Sequence, residues 1–356
     1  MDARLWHQQA TTPPRPLPTP ISVETFDTMT EAAQDAYWQE LTTALAGLVL
    51  PSPLAQRAAD QLSKLMDRNR LRPPGAKAIG SVSASFAVGK STFVKDWAQG
   101  AYRELLGPAC ADPRPTWNPE AGVTADWIPQ LYITLRAASK IRDVLASLLL
   151  TMGYPSEGLV RVTTTRVIHA FRQHGVRLLI IDDSHFLDVS NKDSRDMLDF
   201  LKYLNTELGE LGGTMILVGA DLHESPLYLD PQINSRLERL TLGAYPLATD
   251  EDRRTWQRFL KDAETVLLPY FDCAPAGIFS RQLAGHIWRR TQGYVGDTAL
   301  LLTQALLDAF DDGSDTITTA HLDGVALSAR AEAGEAELRK ISQPVSRRRR
   351  VKAFAS

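Results

Sequence analysis

The sequence predicts an α/β fold in which a mostly parallel five-stranded sheet is followed by a small helical domain. Three observations predict it. Residues 78–92, AIGSVSASFAVGKST, read as a buried strand that turns at Gly89-Lys90-Ser91-Thr92 into a helix carrying Phe93, Val94 and Trp97. Leu178-Leu179-Ile180-Ile181 is a run of large aliphatics, the pattern of a strand buried on both faces of a parallel sheet, and Asp182-Asp183 stands at its exit. From residue 250 onward every periodic segment is helical.

The first observation has a chemical meaning. Strand, small-residue loop and helix, with Gly-Lys-Ser at the join, is the layout of a phosphate-binding loop. In that layout Ala84, Ser85, Val88, Gly89, Lys90, Ser91 and Thr92 are the candidate nucleotide-binding residues. Backbone N–H groups and the helix N-terminus face an anion, Lys90 reaches the β- and γ-phosphates, and the Ser91 hydroxyl ligates Mg²⁺. The match to G-x-x-x-x-G-K-[ST] is incomplete, because Ala84 occupies the first glycine position. Alanine is acceptable there if φ is negative.

A Gly-Lys-Ser tripeptide also occurs by chance in turns, so the second observation matters. Ligands of open α/β sheets bind outside the carboxyl ends of the strands. Asp182, leaving such a strand, is placed to hold Mg²⁺ directly or through water, and Asp183 to polarise an attacking water. The bland reading of both is an acidic turn after a core strand. Lys90 upstream favours nucleotide binding, with ATP and Mg²⁺ as the implied ligands.

Composition sets the outer limits. The chain has 356 residues, 44% hydrophobic and 23% charged, with a net charge of −3. This is ordinary globular usage with room for one nucleotide-binding domain, an accessory domain and tails. The slight acidity neither favours nor excludes nucleic acid, which needs only a local basic patch. Cys110 and Cys273, the only cysteines, lie far apart without metal-ligand spacing and read as reduced residues of a cytoplasmic protein. No apolar run reaches membrane-spanning length, and the N-terminus lacks a signal-peptide core.

Taken in order, residues 1–25 hold Pro13, Pro14, Pro16, Pro18 and Pro20 and are expected to form an extended arm, either a plain tail or a docking segment. Residues 26–75 contain two helices. The second has Ser52 as N-cap and Pro53 at its first position, and carries Arg57, Lys64, Arg68, Arg70 and Arg72, a face that is either solvated or touches nucleic acid. Residues 76–248 form the nucleotide-binding core. Residues 107–127 read as a surface loop, 128–135 (IPQLYITL) as the second strand, 139–152 and 163–174 as helices, 194–208 as a helix and 214–218 (TMILV) as the fourth strand. A last strand follows residues 234–242 (NSRLERLTL). Residues 249–340 read as the helical domain, with helices over 250–268, 278–291, 297–310 and 319–340. Residues 341–356 include SRRRRVK, a basic tail that is solvated, meets an acidic partner or adds phosphate affinity at low salt.

The succession GKST, LLIIDDSHFL, MILVGADL, NSRLERL and TQGYVGD resembles the AAA+ ATPases of DNA transposition, those of the TniB and TnsC kind first and MuB and IstB more distantly. The likeness covers residues 50–325 and rests on the spacing of all five motifs. The resemblance implies an AAA+ P-loop core with a helical lid, and an ATPase that oligomerises on double-stranded DNA as a ring or helical filament. Its implied partners are a transposase and a target-selection protein. By position it makes Asp182 the second Mg²⁺ residue, Asp183 the stand-in for the usual catalytic Glu, and Asp221 the polar residue after the fourth strand. It also makes Arg236 the arginine that reaches a neighbouring subunit's γ-phosphate, with Arg239 as a second candidate. DNA contacts are implied for Lys140, Arg142, Arg161 and Thr163.

Three departures from the pattern stand out: Ala84 for glycine, Asp183 for glutamate, and Asp297 where the lid motif often has arginine. Together they imply slow hydrolysis with binding retained. Two rival readings stay open. A signalling NTPase switch would not bind DNA. A replication initiator or helicase loader would carry a winged-helix module, for which the chain after Gly313 is too short.

Overall fold

The computed structural model describes residues 2–84, 89–187, 193–222, 225, 228, 230–271 and 274–342. The chain divides into two units, Met1–Pro16 with Ser52–Gly243 and Leu17–Pro51 with Ala244–Ser356. In chain order, α1 (Ala3–Thr11) falls in the first unit, α2 (Val23–Asp27) and α3 (Glu31–Ala46) in the second, and α4 (Pro53–Leu71) in the first again. The two helices expected to form one N-terminal piece therefore belong to different units.

The first unit continues with β1 (Ile79–Ala84), α5 (Lys90–Leu106), a hairpin of β2 (Thr116–Glu120) and β3 (Val123–Asp126), β4 (Gln130–Thr134), α6 (Ile141–Thr151), α7 (Val160–His174), β5 (Leu178–Asp182), α8 (Asp193–Glu210), β6 (Thr214–Gly219), α9 (Pro231–Asn234) and β7 (Leu237–Leu242). Five strands form one sheet in the order β4-β5-β6-β1-β7, and every neighbouring pair is parallel. β1 is thus an inner strand, which suits its fully buried small residues.

The sheet is covered on both faces. Leu131, Ile133, Leu179, Ile181, Met215 and Leu217 pack with Leu145 and Leu148 of α6, Phe171 of α7 and Leu201 and Leu204 of α8. Alternate residues face the other way, toward α1, α4 and α5. There Gly80 lies under Leu62 and Leu65 of α4, which a Cβ would meet at 3.0–3.4 Å. Buried Asn69 of α4 donates to the Ala78 carbonyl at 2.8 Å and ties the helix to the entry of β1.

Two expectations fail here. Residues 3–11 form a helix, not an extended arm. Asp2 caps it by accepting the Leu5 N–H at 2.7 Å, and Trp6 and Ala10 are buried at 3% and 0% exposure. The prolines begin only at Pro13, beyond its last turn. Residues 107–127 were expected to be loop, yet 116–126 pair as the hairpin. Trp117 anchors it, donating to the Gln173 carbonyl at 2.9 Å above Gly175, where a Cβ would come within 2.9 Å of the ring. That contact is tertiary, so composition alone reads as loop.

The second unit is helical, with α10 (Asp250–Leu267), α11 (Ala284–Thr291), α12 (Val295–Asp311), α13 (Thr319–Gly324) and α14 (Ala329–Ser342). Residues expected as one helix over 278–291 are a π-helical turn, Ile278–Gln282, followed by α11. Buried Glu264 of α10 holds that turn by accepting the N–H groups of Phe279 and Ser280, both at 2.8 Å. The helix expected over 319–340 is likewise split. Arg290 of α11 donates to the Val325 carbonyl in the gap and pairs with Glu335 of α14 at 2.8 Å. Phe26, Tyr37 and Trp38 stack around Phe310 of α12, and Tyr270 donates to the Pro18 carbonyl at 2.6 Å. Those contacts draw residues 17–51 into this unit, and the unit begins at Ala244, not at residue 249.

Candidate nucleotide site

The sheet brings the candidate residues to the carboxyl ends of β1, β5 and β6. Ala84 ends β1 with 2% exposure; Ser85 and Val88 lie outside the described residues. Gly89 resumes the chain at φ 82°, a left-handed conformation in which any other residue is strained, and starts α5. No side chain caps that helix start. Among the described residues its first N–H groups are left without a cap, and such a helix start, with the positive end of the dipole behind it, suits an anion. Lys90 stands in this first turn, and Ser91 and Thr92 follow with exposed side chains.

Asp182 closes β5 at 2% exposure. Its Oδ1 accepts the Asp183 N–H at 2.8 Å and its Oδ2 the Tyr132 hydroxyl at 2.5 Å. Asp183 sits at φ 54°, in the left-handed region that asparagine and aspartate tolerate better than longer side chains. This gives the backbone a reason for aspartate where glutamate is usual. Lys90 Nζ lies 3.9 Å from Asp183 Oδ1, with side chains 12% and 31% exposed, so the two motifs, far apart in sequence, meet in space.

Asp221 follows β6 at φ 43°. The loop that carries it is stapled to β1, since the Leu222 N–H donates to Ser83 Oγ at 3.1 Å. Between the two strand ends lies His185, whose Nδ1 accepts the Ala220 N–H at 3.3 Å. Burial, then the nearby Lys90 charge, hold the His185 pKa below its ordinary value, so the ring is neutral. This geometry matches one cation, two carboxylates and an open helix start to a triphosphate. No cluster of three or more potential metal ligands exists among the described residues. Mg²⁺ fits such a site because it is commonly held by one or two carboxylates together with substrate phosphates.

The family profile described as Bacterial TniB protein matches residues 49–246, more than half of the chain. The chain belongs to the TniB family. Among solved structures it is similar to the ORC2 protein of Aeropyrum pernix in its ADPNP-ADP complexes, with a TM-score of 0.53 and 15% identity over 83% of this chain and 72% of that one. It is also similar to Cdc6p of Pyrobaculum aerophilum, with a TM-score of 0.51 and 15% identity over 76% of this chain and 66% of that one. At that identity the likeness is one of fold, and the fold is that of an AAA+ P-loop NTPase. No curated protein matches the sequence.

Arg236 of this TniB-family chain is not at the site. It precedes β7, whose first residue Leu237 pairs with Ile79 at the start of β1. The six residues of β1 span about 20 Å at ~3.3 Å per residue, from that end to Ala84, where the candidate loop begins. The Arg236 side chain makes no hydrogen bond or ion pair among the described residues, and its carbonyl accepts the Ile79 N–H at 2.8 Å. Arg239, the second candidate, is engaged: it bonds Asn234 at 2.6 Å and lies over the Tyr228 ring.

Lys140, Arg142 and Arg161 are exposed at the starts of α6 and α7, which pack side by side. Thr163 must be withdrawn as a surface contact. It is 2% exposed, and its hydroxyl bonds the Val160 carbonyl one turn back at 3.0 Å. Arg68, on the basic face of α4, pairs with Glu238. The basic tail lies outside the described residues, as does Cys273. No helix among the described residues is long and apolar enough to cross a membrane. Asp297, expected to remove positive charge from the lid, is itself matched within its own unit by Arg330.

Sequence reasoning missed Tyr132 and His185. His185 lies two residues beyond the acidic pair, so its place was open to inspection. Tyr132 was hidden inside an ordinary strand pattern.

Proposed function

We propose that this TniB-family protein is an ATPase that assembles on double-stranded DNA in its ATP-bound state and links a target-selection protein to a transposase. The observation that carries the assembly is Arg236. It is unpartnered among the described residues and sits at the opposite end of the strands from its own phosphate loop. An arginine so placed serves a neighbouring subunit's nucleotide or none. The ADPNP-ADP complexes of the similar ORC2 protein support nucleotide binding by this fold.

In the proposed site the α5 N-terminus and Lys90 bind the β- and γ-phosphates, and Lys90 exchanges its contact with Asp183 for them. Ser91 and Asp182 would hold Mg²⁺, which supplies charge neutralisation across the phosphates. Asp183 orients the attacking water in line with the γ-phosphate, with Asp221 as a further polar group. Arg236 from the next subunit neutralises charge in the transition state. Hydrolysis is slow because the Asp183 carboxylate is one methylene short of the usual glutamate, and ~1 Å of misplacement costs on the order of a hundredfold. Hydrolysis dismantles the assembly. Lys140, Arg142 and Arg161 contact the phosphate backbone, which positions the protein without reading sequence.

Electron microscopy of the protein with duplex DNA, with and without ATP and Mg²⁺, tests this. The expected result is rings or filaments only when ATP and DNA are both present, dispersed by salt and absent for Lys90→Ala. Discrete particles indifferent to DNA would leave a nucleotide switch in place of the transposition regulator.

A further inference from the structure

Asp182 is held by a side chain from outside the motifs that mark the nucleotide site in the sequence. Tyr132 of edge strand β4 pairs in register with Ile180, two residues before Asp182, so both side chains lie on the same sheet face and meet diagonally. The ring is 5% exposed. Its hydroxyl is the donor of the bond to Asp182 Oδ2, since an ionised carboxylate can only accept. A ligating carboxylate is aimed by its own hydrogen bonds. One donor on each oxygen of Asp182 fixes its rotation and leaves a further lone pair on each for a metal or its water.

The other side of Tyr132 is covered by Trp6 of α1, with ring centroids 5.2 Å apart and planes 20° from parallel. α1 is anchored on α5 through His7 Nδ1 and the Tyr102 hydroxyl at 3.0 Å, and through Arg103, which donates to the Ala10 carbonyl at 2.6 Å. The docking is not fully satisfied. Trp6 Nε1 and both amide atoms of Gln130, two residues before Tyr132 on the same face, are buried without a hydrogen-bond partner among the described residues. Buried groups of this kind weigh against the docked state.

We propose that Tyr132 is a positioning residue for the metal-binding carboxylate of Asp182, and that docking of helix α1 through Trp6 sets how firmly it does so. The N-terminal helix thereby becomes a control element of the nucleotide site. The inference rests on the reading of Asp182 as the Mg²⁺ carboxylate.

The test is binding of a fluorescent ATP analogue to the full-length protein across a Mg²⁺ titration. Tyr132→Phe keeps the ring and removes only the hydroxyl. It is expected to raise the half-saturating Mg²⁺ about tenfold, with Mg²⁺-free affinity and thermal melting retained. A purely structural role would not separate those readouts. Trp6→Phe, a smaller aromatic, shifts the midpoint the same way by less and adds little to Tyr132→Phe, since it acts through that residue. A Tyr132→Phe titration superimposable on a Mg²⁺-dependent wild type overturns the inference while leaving Asp182 its role. Wild-type binding indifferent to Mg²⁺, or unchanged by Asp182→Asn, removes the underlying reading and the inference with it.

Discussion

Buried charges in the helical unit are matched at short range, whereas Lys90 and Arg236 of the sheet unit are not. Arg290 and Glu335, with side chains 5% and 4% exposed, meet at 2.8 Å, and Arg339 also pairs with Glu335 at 2.8 Å. Asp297 is likewise matched by Arg330, whose guanidinium also covers the Tyr294 ring. In the sheet unit, Lys90 reaches Asp183 only at 3.9 Å, and Arg236 has no side-chain partner among the described residues. Burying an ion costs several kcal/mol unless its partner is well placed, so saturated pairs of the first kind serve the fold. Charges of the second kind contribute little to folding and are free to meet phosphate.

This contrast can be broken at four places. The largest effect is expected at Arg236. Arg236→Ala should lower ATP turnover by about a thousandfold, as for an arginine supplied in trans, while nucleotide affinity and melting temperature stay near wild type. Mixing Arg236→Ala with Lys90→Ala should restore part of the turnover, because each supplies what the other's interface lacks. No recovery on mixing would place the arginine outside the reaction. Next, Arg290→Ala removes one of the cations on buried Glu335 and should cost about 3 kcal/mol, the low end for a broken buried pair because Arg339 still reaches the carboxylate, read as a lower denaturant midpoint for the helical unit. A loss under about 1 kcal/mol, as for an exposed pair, would erase the distinction drawn here.

Asp183→Asn keeps a residue suited to the left-handed backbone and removes only the charge. Turnover should fall about a hundredfold with nucleotide binding retained or tightened, as Lys90 is released from its competitor. The smallest effect concerns His185. Its folded pKa lies below the unfolded value of about 6.5, so the neutral ring favours folding. That contribution is complete above pH 6.5 and is lost as the pH falls from there toward the lowered folded value. Melting temperatures between pH 7 and 5.5 should therefore decline more for wild type than for His185→Gln. Parallel declines would mean that the ring is not shielded.

Much of the first unit was legible because its signals are local. A strand buried on both faces must be an unbroken aliphatic run, so Leu178–Asp182 declares itself. The turn into α5 needs Gly89 for its positive φ, and Lys90 is its neighbour in sequence. The helical unit was legible in outline and wrong in detail. Breaks near residues 283 and 325 depend on Glu264 and Arg290, which reach them from distant helices. The hairpin over 116–126 and the burial of Thr163 were missed for the same reason.

By itself the sequence determined the strand-loop-helix at Lys90, the acidic exit of β5 and the helical character beyond residue 250, since each follows from neighbouring residues and backbone stereochemistry. Only the tertiary structure decided that α1 folds against the sheet, that Tyr132 grips Asp182, that Arg236 sits at the opposite end of β1 from Ala84, and that Asp297 is neutralised by Arg330. Each of these joins residues that chain order separates, and only strand order and packing bring such residues within hydrogen-bond distance or keep them apart.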